Sequence, residues 1–388
     1  MTAPLIGIHD LAVATAGHVL ELDDLAAATG VDPGKFHIGL GQDQMSVPGP
    51  DEDIVTMGAS AARRIIDRHG VDGIRTVFFA TESGVDQSKS AGVWVHDLLG
   101  LPSTSRVIEL KQACYSATAA LQAAAGLVAR EPGSKVLVIA SDIARYELDS
   151  AAEPTQGAGA VAMLVTANPA LLSIEPATGL HTAHVDDFWR PNDSVTAVVD
   201  GKLSIDAYLD GFIGAWDDYR SHGGVDVDEI DVFTHHQPFT RMAAKAHRRL
   251  AEHLGTELAE DRYLRSTLYN RRIGNSYTAS LYFGLAALLD GDDDLSGKRV
   301  GMFSYGSGSV SEFFAGVVQP GYREHTRADE TAKLLAARTR VDVPAYRALH
   351  AAAHLGSRQD VTVPAQSPWP YHFAGVRGRA RQYSADQA

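Results

Sequence analysis

One stretch decides the fold: Lys111-Gln-Ala-Cys-Tyr-Ser-Ala-Thr-Ala-Ala-Leu-Gln-Ala-Ala-Ala-Gly-Leu-Val-Ala-Arg130. It contains Cys114, the only cysteine in 388 residues. The residues after Cys114 are almost all small and apolar, which predicts a helix buried on every face. The apolar run Arg106-Val-Ile-Glu-Leu110 upstream predicts a strand. Cys114 should therefore lie where a strand leads into a central helix, and the free N–H groups of a helix start should favour its thiolate.

Composition excludes several classes of protein. The chain has 45% apolar and 21% charged residues and a formal net charge of −14, which disfavours nucleic acid and anionic membranes as partners. A single cysteine excludes an intrachain disulfide and a cysteine-based metal cluster. No apolar run approaches the ~18 residues that span a bilayer, and the N-terminus lacks a signal-peptide pattern. We expect a cytoplasmic protein.

Strands and helices alternate along the chain. Continuous apolar runs at Val77-Phe-Phe-Ala-Thr81, Lys135–Asp142 and Gly157–Val165 predict buried strands, and Ile54–His69 predicts a helix with acidic residues before it and arginines near its end. This alternation predicts an α/β fold with a largely interior sheet.

The second half of the chain echoes the first. Asp231–His236 resembles the strand that ends at Glu82, and Gly274–Leu289 resembles the nucleophile helix, with Asn275 in the place of Cys114. Two similar halves would bring His236 and Asn275 toward Glu82 and Cys114 about a pseudo-twofold axis.

We divide the chain into residues 1–168, which carry Glu82 and Cys114, and residues 169–388, which carry His236 and Asn275. Residues 170–225, with Trp189 and Trp216, are interpreted as an insertion that caps the site. The segments after 321, including helices at Arg323–Arg338 and Ala345–His354, are expected to pack outside the second half.

A nucleophilic thiolate needs a nearby base and a group that holds the developing oxyanion. Cys114, Glu82, His236 and Asn275 supply these types of side chain, but each also has an ordinary structural interpretation. Cys114 can be a small buried hydrophobe, Glu82 a solvated loop residue, and His236 a core imidazole. A zinc site at the His235–His236 pair lacks a third ligand. Other features are given ordinary interpretations: Gly39-Leu-Gly41 is no dinucleotide fingerprint, Gly306–Ser309 is a tight turn, and Asp142 and Glu147 are surface charges.

Several motifs in the same order carry a resemblance to a known family. They are Gly39–Val47, Ala80-Thr-Glu-Ser83, Glu109-Leu-Lys-Gln-Ala-Cys-Tyr115, Glu153–Gly159, Asp187-Phe-Trp-Arg-Pro191, His236-Gln-Pro-Phe-Thr240, Gly274-Asn-Ser-Tyr-Thr278 and Phe303–Gly308. Over nearly its whole length the chain resembles the bacterial 3-hydroxy-3-methylglutaryl-CoA (HMG-CoA) synthases of the thiolase superfamily. The resemblance implies a thiolase-like fold: two βαβαβαββ halves in a five-layer α-β-α-β-α arrangement.

The resemblance also implies an activity, the condensation of acetyl-CoA with acetoacetyl-CoA in the mevalonate pathway of isoprenoid biosynthesis. By this likeness Cys114 becomes the acetyl-thioester, Glu82 removes a proton from the acetyl methyl group, and His236 holds acetoacetyl-CoA and protonates its carbonyl oxygen. Lys245 would meet the CoA phosphates. The residues placed around the acyl groups are Tyr146, Thr155, Ser204, Asn275 and Ser307.

The resemblance implies no metal or redox cofactor, and it implies a homodimer. Three alternatives remain. A β-branching synthase of polyketide assembly would use the same three catalytic residues on acyl groups bound to a carrier protein, with Arg241, Lys245, Arg248 and Arg249 as a docking patch. A ketoacyl synthase III-like enzyme would not need Glu82. A non-catalytic binding subunit would have lost the cysteine or the base.

Overall fold

The computed structural model describes residues 4–352 and 359–386. Within these residues the strands are β1 (Ile6–Thr15), β2 (His18–Glu21), β3 (Gln44–Val47), β4 (Ile74–Ala80), β5 (Arg106–Leu110), β6 (Lys135–Ile143), β7 (Ala158–Ala167), β8 (Leu172–Thr182), β9 (Phe188–Trp189), β10 (Val198–Val199), β11 (Val232–His235), β12 (Arg299–Gly306), β13 (Val310–Val318), β14 (Thr339–Arg340), β15 (Val361–Thr362), β16 (Tyr371–Arg377) and β17 (Ala380–Ala385).

The helices in the same described residues are α1 (Leu22–Thr29), α2 (Ile54–His69), α3 (Ala91–Leu98), α4 (Ser116–Arg130), α5 (Gly201–Ser221), α6 (Arg241–Leu254), α7 (Asp261–Leu264), α8 (Leu268–Ile273), α9 (Ser280–Leu289), α10 (Ala328–Ala336) and α11 (Val343–Ala351). None of these described helices is both long enough and apolar enough to cross a membrane.

A nine-stranded sheet organises the chain, in the order β11-β12-β13-β8-β1-β7-β6-β4-β5. The two halves of the sheet meet where β1 and β8 pair through Gly7↔Ser173 and Ile8↔Leu172. In the first half β6 is parallel to β4 and antiparallel to β7, and in the second half β12 is parallel to β11 and antiparallel to β13. The halves therefore repeat the same strand pattern.

Helices lie on both sides of each half-sheet. α4 and α9 pack between the halves in one core that also contains residues of β6 and β12, such as Val138 and Met302. α2 and α3 cover the outer face of the first half, and α5 and α6 cover that of the second. This is the predicted five-layer α-β-α-β-α arrangement. It places α4, and Cys114 immediately before it, in the middle layer.

Most of segment 170–225 is core, not a capping insertion. β8 is a central strand of the sheet, and α5 buries Trp216 to 1% exposure against the second half. The apolar residues of α5 recur along one face, and this face needs a sheet to cover it. Residues 183–200, between β8 and α5, lie outside the nine-stranded sheet and the helical layers. Phe188 and Val199 of this stretch line the site cavity.

The C-terminal segments contact both halves, so the prediction that they pack outside the second half holds only in part. Arg323 donates to the Gly291 and Asp292 carbonyls of the second half, but other residues contact the first half. Arg327 Nη2 lies 2.6 Å from Asp10 Oδ2 on β1, and Tyr383 Oη donates to Asp53 Oδ2 at 2.7 Å. Asp10 is completely buried. Buried carboxylates need partners, and the C-terminal segments supply them. The predicted helix end at His354 lies outside the described residues; α11 ends at Ala351.

Candidate active site

A cavity of about 540 Å³ opens beside the central helices. It gathers eight of the nine predicted site residues from both halves of the chain. Those residues are Cys114, Tyr146, Thr155, Ser204, His236, Lys245, Asn275 and Ser307. The ninth, Glu82, is only partly exposed and reaches the site through its contact with Cys114.

The nucleophile loop is held tightly before α4. The residue before Cys114, Ala113, has a φ of +43°, a left-handed conformation that is unusual outside glycine. A Cβ on Gly306 would lie 2.7 Å from Tyr115 N, so only glycine allows β12 to approach so closely. On the other side of Cys114, Tyr115 Oη donates to the buried Glu312 at 2.6 Å. Gly306 is therefore part of the site's architecture and not a plain turn residue.

Cys114 and Glu82 are in contact. The thiol donates to Glu82 Oε1, with Sγ and Oε1 3.5 Å apart. Burial, followed by the charges of Glu82 and Asp142, raises the pKa of Cys114 well above its usual value. Burial and the charge of Asp142 likewise raise the pKa of Glu82. The expected thiolate is therefore wrong for the free protein: the helix begins only at Ser116, and burial beside carboxylates outweighs its N-terminus.

Asp142 is a buried carboxylate that accepts several hydrogen bonds, and the expectation of a surface charge was wrong. It is completely buried at the end of β6. Its Oδ1 accepts hydrogen bonds from Thr81 Oγ1 at 2.7 Å and from the backbone N–H groups of Glu82 and Ser83 at 2.9 Å. Its Oδ2 accepts from Thr278 N at 3.1 Å. Asp142 thus ties the base-bearing loop of the first half to the Asn275 loop of the second. Glu147 is exposed, as predicted.

His236 follows directly after β11 and lines the same cavity. It is 2% exposed, and burial lowers its pKa to about 3, so the imidazole is neutral. Its backbone is held at both ends, since His236 N donates to the Phe303 carbonyl and Tyr208 Oη donates to the His236 carbonyl, each at 2.7 Å. Nδ1 has no hydrogen-bond partner among the described residues. The ring is therefore positioned by its backbone.

Asn275 joins the two halves at the floor of the cavity. Its backbone N–H donates to the Thr155 carbonyl at 2.9 Å, and its Nδ2 donates to Tyr146 Oη at 3.2 Å. Gly274 before it has a φ of +87°, as Ala113 has a positive φ before Cys114. The matching backbone turns support the predicted equivalence of Asn275 and Cys114.

The remaining predicted residues lie around the cavity. Ser204 is in the first turn of α5, and Lys245 is half-buried on α6 with Nζ 5.6 Å from the ring centre of Phe239. The Ser307 carbonyl accepts from Gln112 Nε2 at 3.3 Å.

Sequence reasoning missed four residues of this site: Asp142, Asp187, Phe188 and Tyr277. Asp187 is completely buried and accepts from Tyr305 Oη at 2.9 Å and Gly308 N at 2.8 Å. Phe188 and Tyr277 form an aromatic pair, with ring centres 5.8 Å apart, and both line the cavity. One signal was available: Asp142 ends a buried strand just as Glu82 follows one. No group of acidic, histidine or cysteine residues in the described part of the chain could hold a metal ion.

Comparisons with known proteins show which family the chain belongs to. The family models for the N-terminal and C-terminal parts of hydroxymethylglutaryl-coenzyme A synthase match residues 4–170 and residues 173–253 and 251–349. The hydroxymethylglutaryl-CoA synthase of Enterococcus faecalis is 41% identical over 97% of this chain and 99% of that protein. A polyketide biosynthesis 3-hydroxy-3-methylglutaryl-ACP synthase, PksG of Bacillus subtilis, is 35% identical over 88% of this chain and 87% of that protein.

A solved structure, MvaS in complex with 3-hydroxy-3-methylglutaryl coenzyme A, superposes with a TM-score of 0.90 at 36% identity, covering 99% of this chain and all of that one. Family models that span both halves, and relatives this similar over nearly the whole length, lead to one conclusion: the chain belongs to the hydroxymethylglutaryl-CoA synthase family.

Proposed function

We propose that this protein condenses acetyl-CoA with acetoacetyl-CoA and water to give 3-hydroxy-3-methylglutaryl-CoA and CoA, through an acetyl-thioester on Cys114, as a step of isoprenoid supply. The observation that carries the proposal is the contact between a buried thiol and a partly buried carboxylate. Cys114 Sγ and Glu82 Oε1 lie 3.5 Å apart, beside the cavity that His236 lines. The relatives named for this reaction support it.

The first step transfers the acetyl group. Cys114 Sγ attacks the thioester carbonyl of acetyl-CoA, the bond to the CoA sulfur breaks, and the thiol proton ends on the departing CoA. Glu82 is the group in contact with that proton and can relay it. The thiol is protonated in the free protein, so the proton moves as the substrate is attacked.

The second step forms the new carbon–carbon bond. Glu82 removes a proton from the acetyl methyl group, and the resulting carbanion attacks the ketone carbon of acetoacetyl-CoA. A carboxylate whose pKa is raised by burial is a stronger base than one in water, and a thioester makes the neighbouring methyl more acidic. Acetylation also removes the thiol hydrogen bond, which lowers the pKa of Glu82 in the free protein.

His236 polarises the ketone. Because its imidazole is neutral, we assign it a hydrogen bond to the ketone oxygen and not, in the first instance, a full proton transfer. This modifies the role that the family resemblance implied. The proton that Glu82 has just taken is available to neutralise the alkoxide.

Water then adds to the thioester at Cys114, the carbon–sulfur bond breaks, and the product leaves with a new carboxylate while the thiol regains its proton. The thiol, the carboxylate and the imidazole supply a nucleophile, a base and a hydrogen-bond donor, so these steps call for no metal or redox cofactor.

Lys245 supports a CoA thioester as the substrate. The protein has a net charge of −14, so a phosphate-bearing substrate must be met by a local cation. Lys245 is half-buried in the cavity wall and forms no ion pair with a described carboxylate. Its ammonium group is therefore available to the phosphates of CoA.

The carrier-protein alternative is less well supported. Of the proposed docking patch, Arg241 and Arg248 are exposed, but Arg249 lies 4.0 Å from Asp210, which offsets its charge. The CoA-dependent relative is 41% identical against 35% for the carrier-protein enzyme. A non-catalytic subunit is disfavoured because the thiol and carboxylate are both present and in contact.

The protein is also proposed to be a homodimer. β5 is the edge strand of the large sheet, and Ile108 on it is 42% exposed. An unprotected edge strand favours pairing with a second copy. Light scattering on the purified protein tests this, and a monomer at micromolar concentration would contradict it.

Intact-protein mass tests the proposed reaction. Mixing with acetyl-CoA should add one acetyl group, which acetoacetyl-CoA discharges as 3-hydroxy-3-methylglutaryl-CoA appears. Cys114→Ala should show no mass gain. Discharge only by a carrier-bound acceptor would favour the polyketide enzyme, and no gain in the wild-type protein would favour a binding subunit.

A further inference from the structure

A second cavity lies behind one wall of the active-site cavity. Its volume is about 120 Å³, against about 540 Å³ for the active-site cavity, and no described residue lines both. We call it the back cavity. Neighbouring residues of the same extended segments face opposite ways: Tyr146 and Phe188 face the active site, whereas Arg145 and Arg190 face the back cavity. The back cavity is too small for a CoA thioester but has room for a small ion.

Two arginines in the back cavity lack a carboxylate partner. Neither Arg145 nor Arg190 forms an ion pair with a carboxylate of the described residues, and Arg190 is exposed. Burial lowers the pKa of Arg145, and the nearby cation of Arg190 lowers it further. Arg145 donates through Nη2 to the His350 carbonyl, but its Nε has no hydrogen-bond partner among the described residues. Two adjacent cations, one of them largely desolvated, are unfavourable unless an anion joins them.

The acidic residues of the back cavity are already engaged. Glu52 accepts hydrogen bonds from Gly17 N at 2.9 Å and from Gly49 N at 2.7 Å. Asp53 accepts from Tyr383 Oη at 2.7 Å and lies 3.6 Å from Arg381 Nη1. These contacts also occupy Arg381, the third arginine that lines the back cavity. Arg145 and Arg190 are therefore the charged side chains of the back cavity that lack a counter-charge among the described residues.

We propose that the back cavity binds a small oxyanion, a phosphate or a carboxylate, between Arg145 and Arg190. The guanidinium group presents a planar fork of donors that matches the paired oxygens of both anions. Ser83, which follows Glu82, lines the same cavity and brings the bound anion close to the base.

The bound anion raises the pKa of Glu82, so that less of its carboxylate is ionised at acidic pH, and this part rests on the proposed role of Glu82. Besides burial, the charged side chains that act on Glu82 are Asp142, Arg190 and Asp187, and Arg190 is the cation among them; Cys114 acts through its hydrogen bond. An anion on Arg190 offsets the charge that favours the ionised carboxylate. Condensation then slows at the acidic end of the pH profile, whereas acetyl transfer to Cys114 is affected less.

Thermal unfolding tests the binding without any assumption about activity. At constant ionic strength, with chloride as the reference, inorganic phosphate or succinate at about ten times its dissociation constant should raise Tm by roughly 1–3 °C. Arg190→Gln should abolish the shift. Arg130→Gln, which removes the same charge from an exposed position at the end of α4, should keep it. Lys245→Ala should also keep it, which separates the back cavity from the proposed CoA phosphate site.

A shift with phosphate alone identifies a phosphate site, and a shift with succinate alone identifies a carboxylate site. Absence of a shift with both anions, or a shift that persists in Arg190→Gln, would overturn the proposal. The kinetic arm compares pH profiles of condensation: the bound anion should move the acidic limb to higher pH in the wild type and leave Arg190→Gln unmoved. The Tm measurement tests anion binding independently of activity, so its result would remain valid even if the protein were not a synthase.

Discussion

The thiol of Cys114 donates a hydrogen bond to the carboxylate of Glu82 across 3.5 Å. After burial, the charge of Glu82 raises the pKa of the thiol, whereas the hydrogen bond from the thiol lowers the pKa of Glu82, which burial and Asp142 raise. Full ionisation of both groups is costly because Cys114 is buried, Glu82 is partly buried, and the buried carboxylate of Asp142 lies beside them. Acetylation of Cys114 converts the thiol into a neutral thioester and leaves Glu82 as the nearest proton acceptor. In the proposed mechanism the pair therefore couples the two chemical steps in order: Glu82 becomes fully available as a base only after the acetyl group has arrived.

Glu82→Gln should separate those steps. The amide keeps the shape of the side chain but cannot take a proton, so acetyl-enzyme should accumulate while condensation falls by about 10²–10⁴-fold. Rapid-quench mass spectrometry of the acetyl-enzyme, together with product formation, measures both quantities. Ser83→Ala is the matched control, since Ser83 is the next residue and its hydroxyl bonds to the backbone of Ile143. Condensation at the wild-type rate in Glu82→Gln would remove Glu82 from the base role.

The fold was predictable because its elements have strong local signals. The predicted helix Ile54–His69 is α2, residue for residue, since Asp53 caps it by accepting from Val55 N at 2.9 Å. The buried strands were equally clear from their continuous apolar runs. The repeat between the halves also followed, because Asn275 and Cys114 occupy corresponding turns.

What the sequence did not reveal depends on contacts between distant residues. Asp142 looks like any acidic residue at the end of a strand until Thr81 and Thr278 are folded around it. The state of Cys114 was predicted wrongly, because the helix start is a local feature whereas the burying carboxylates come from other elements. The docking of Tyr383 on Asp53 joins residues 330 positions apart and leaves no local pattern.

Lys245→Ala should weaken the binding of CoA thioesters. Loss of a charge-assisted hydrogen bond to a phosphate costs about 1.5–3 kcal/mol, which raises KM by roughly tenfold or more. The maximal rate should change little, because the proposed partners of Lys245 on α6 are the CoA phosphates and not the reacting atoms. Steady-state kinetics with each substrate measure this, and Lys333→Ala on the exposed face of α10 is the control. An unchanged KM would show that the ammonium group points away from CoA.

Glu312→Leu should destabilise the nucleophile loop. The buried Glu312 carboxylate accepts from Tyr115 Oη at 2.6 Å, from Gln122 Nε2 at 2.7 Å and from Thr178 Oγ1 at 2.6 Å. Leucine would leave these donors without an acceptor at a cost of about 1–3 kcal/mol for each buried group. Urea unfolding should show a loss of at least ~3 kcal/mol in the free energy of unfolding.

Two variants make that test specific. Glu312→Gln retains an acceptor oxygen and should lose less stability than Glu312→Leu. Glu131→Leu changes an exposed carboxylate after α4 and should stay within about 0.5 kcal/mol of wild type. Equal losses of unfolding free energy in Glu312→Leu and Glu131→Leu would show that the buried hydrogen bonds to Glu312 do not stabilise the fold.

Buried histidines should make the protein sensitive to acid. Burial lowers the pKa of His235 well below its usual 6.5 and that of His236 to about 3. Below about pH 6.5 the unfolded chain binds protons at these positions and the folded chain does not, so stability falls as the pH falls. Each group contributes a slope of up to about 1.4 kcal/mol per pH unit. Urea midpoints at about pH 7.5 and about pH 5.5 measure the loss.

His235→Phe should reduce that slope by the contribution of nearly one proton, about 1.4 kcal/mol per pH unit. His235 is completely buried, packs against Phe212, Phe233 and Phe303, and has no hydrogen-bond partner at either ring nitrogen among the described residues. An apolar ring therefore forfeits no hydrogen bond there. His184→Phe, at a side chain that is 90% exposed, should leave the slope unchanged. If His235→Phe kept the wild-type pH dependence, His235 would have to be protonated in the folded state. A buried imidazolium needs a counter-charge, and Phe212, Phe233 and Phe303 supply none.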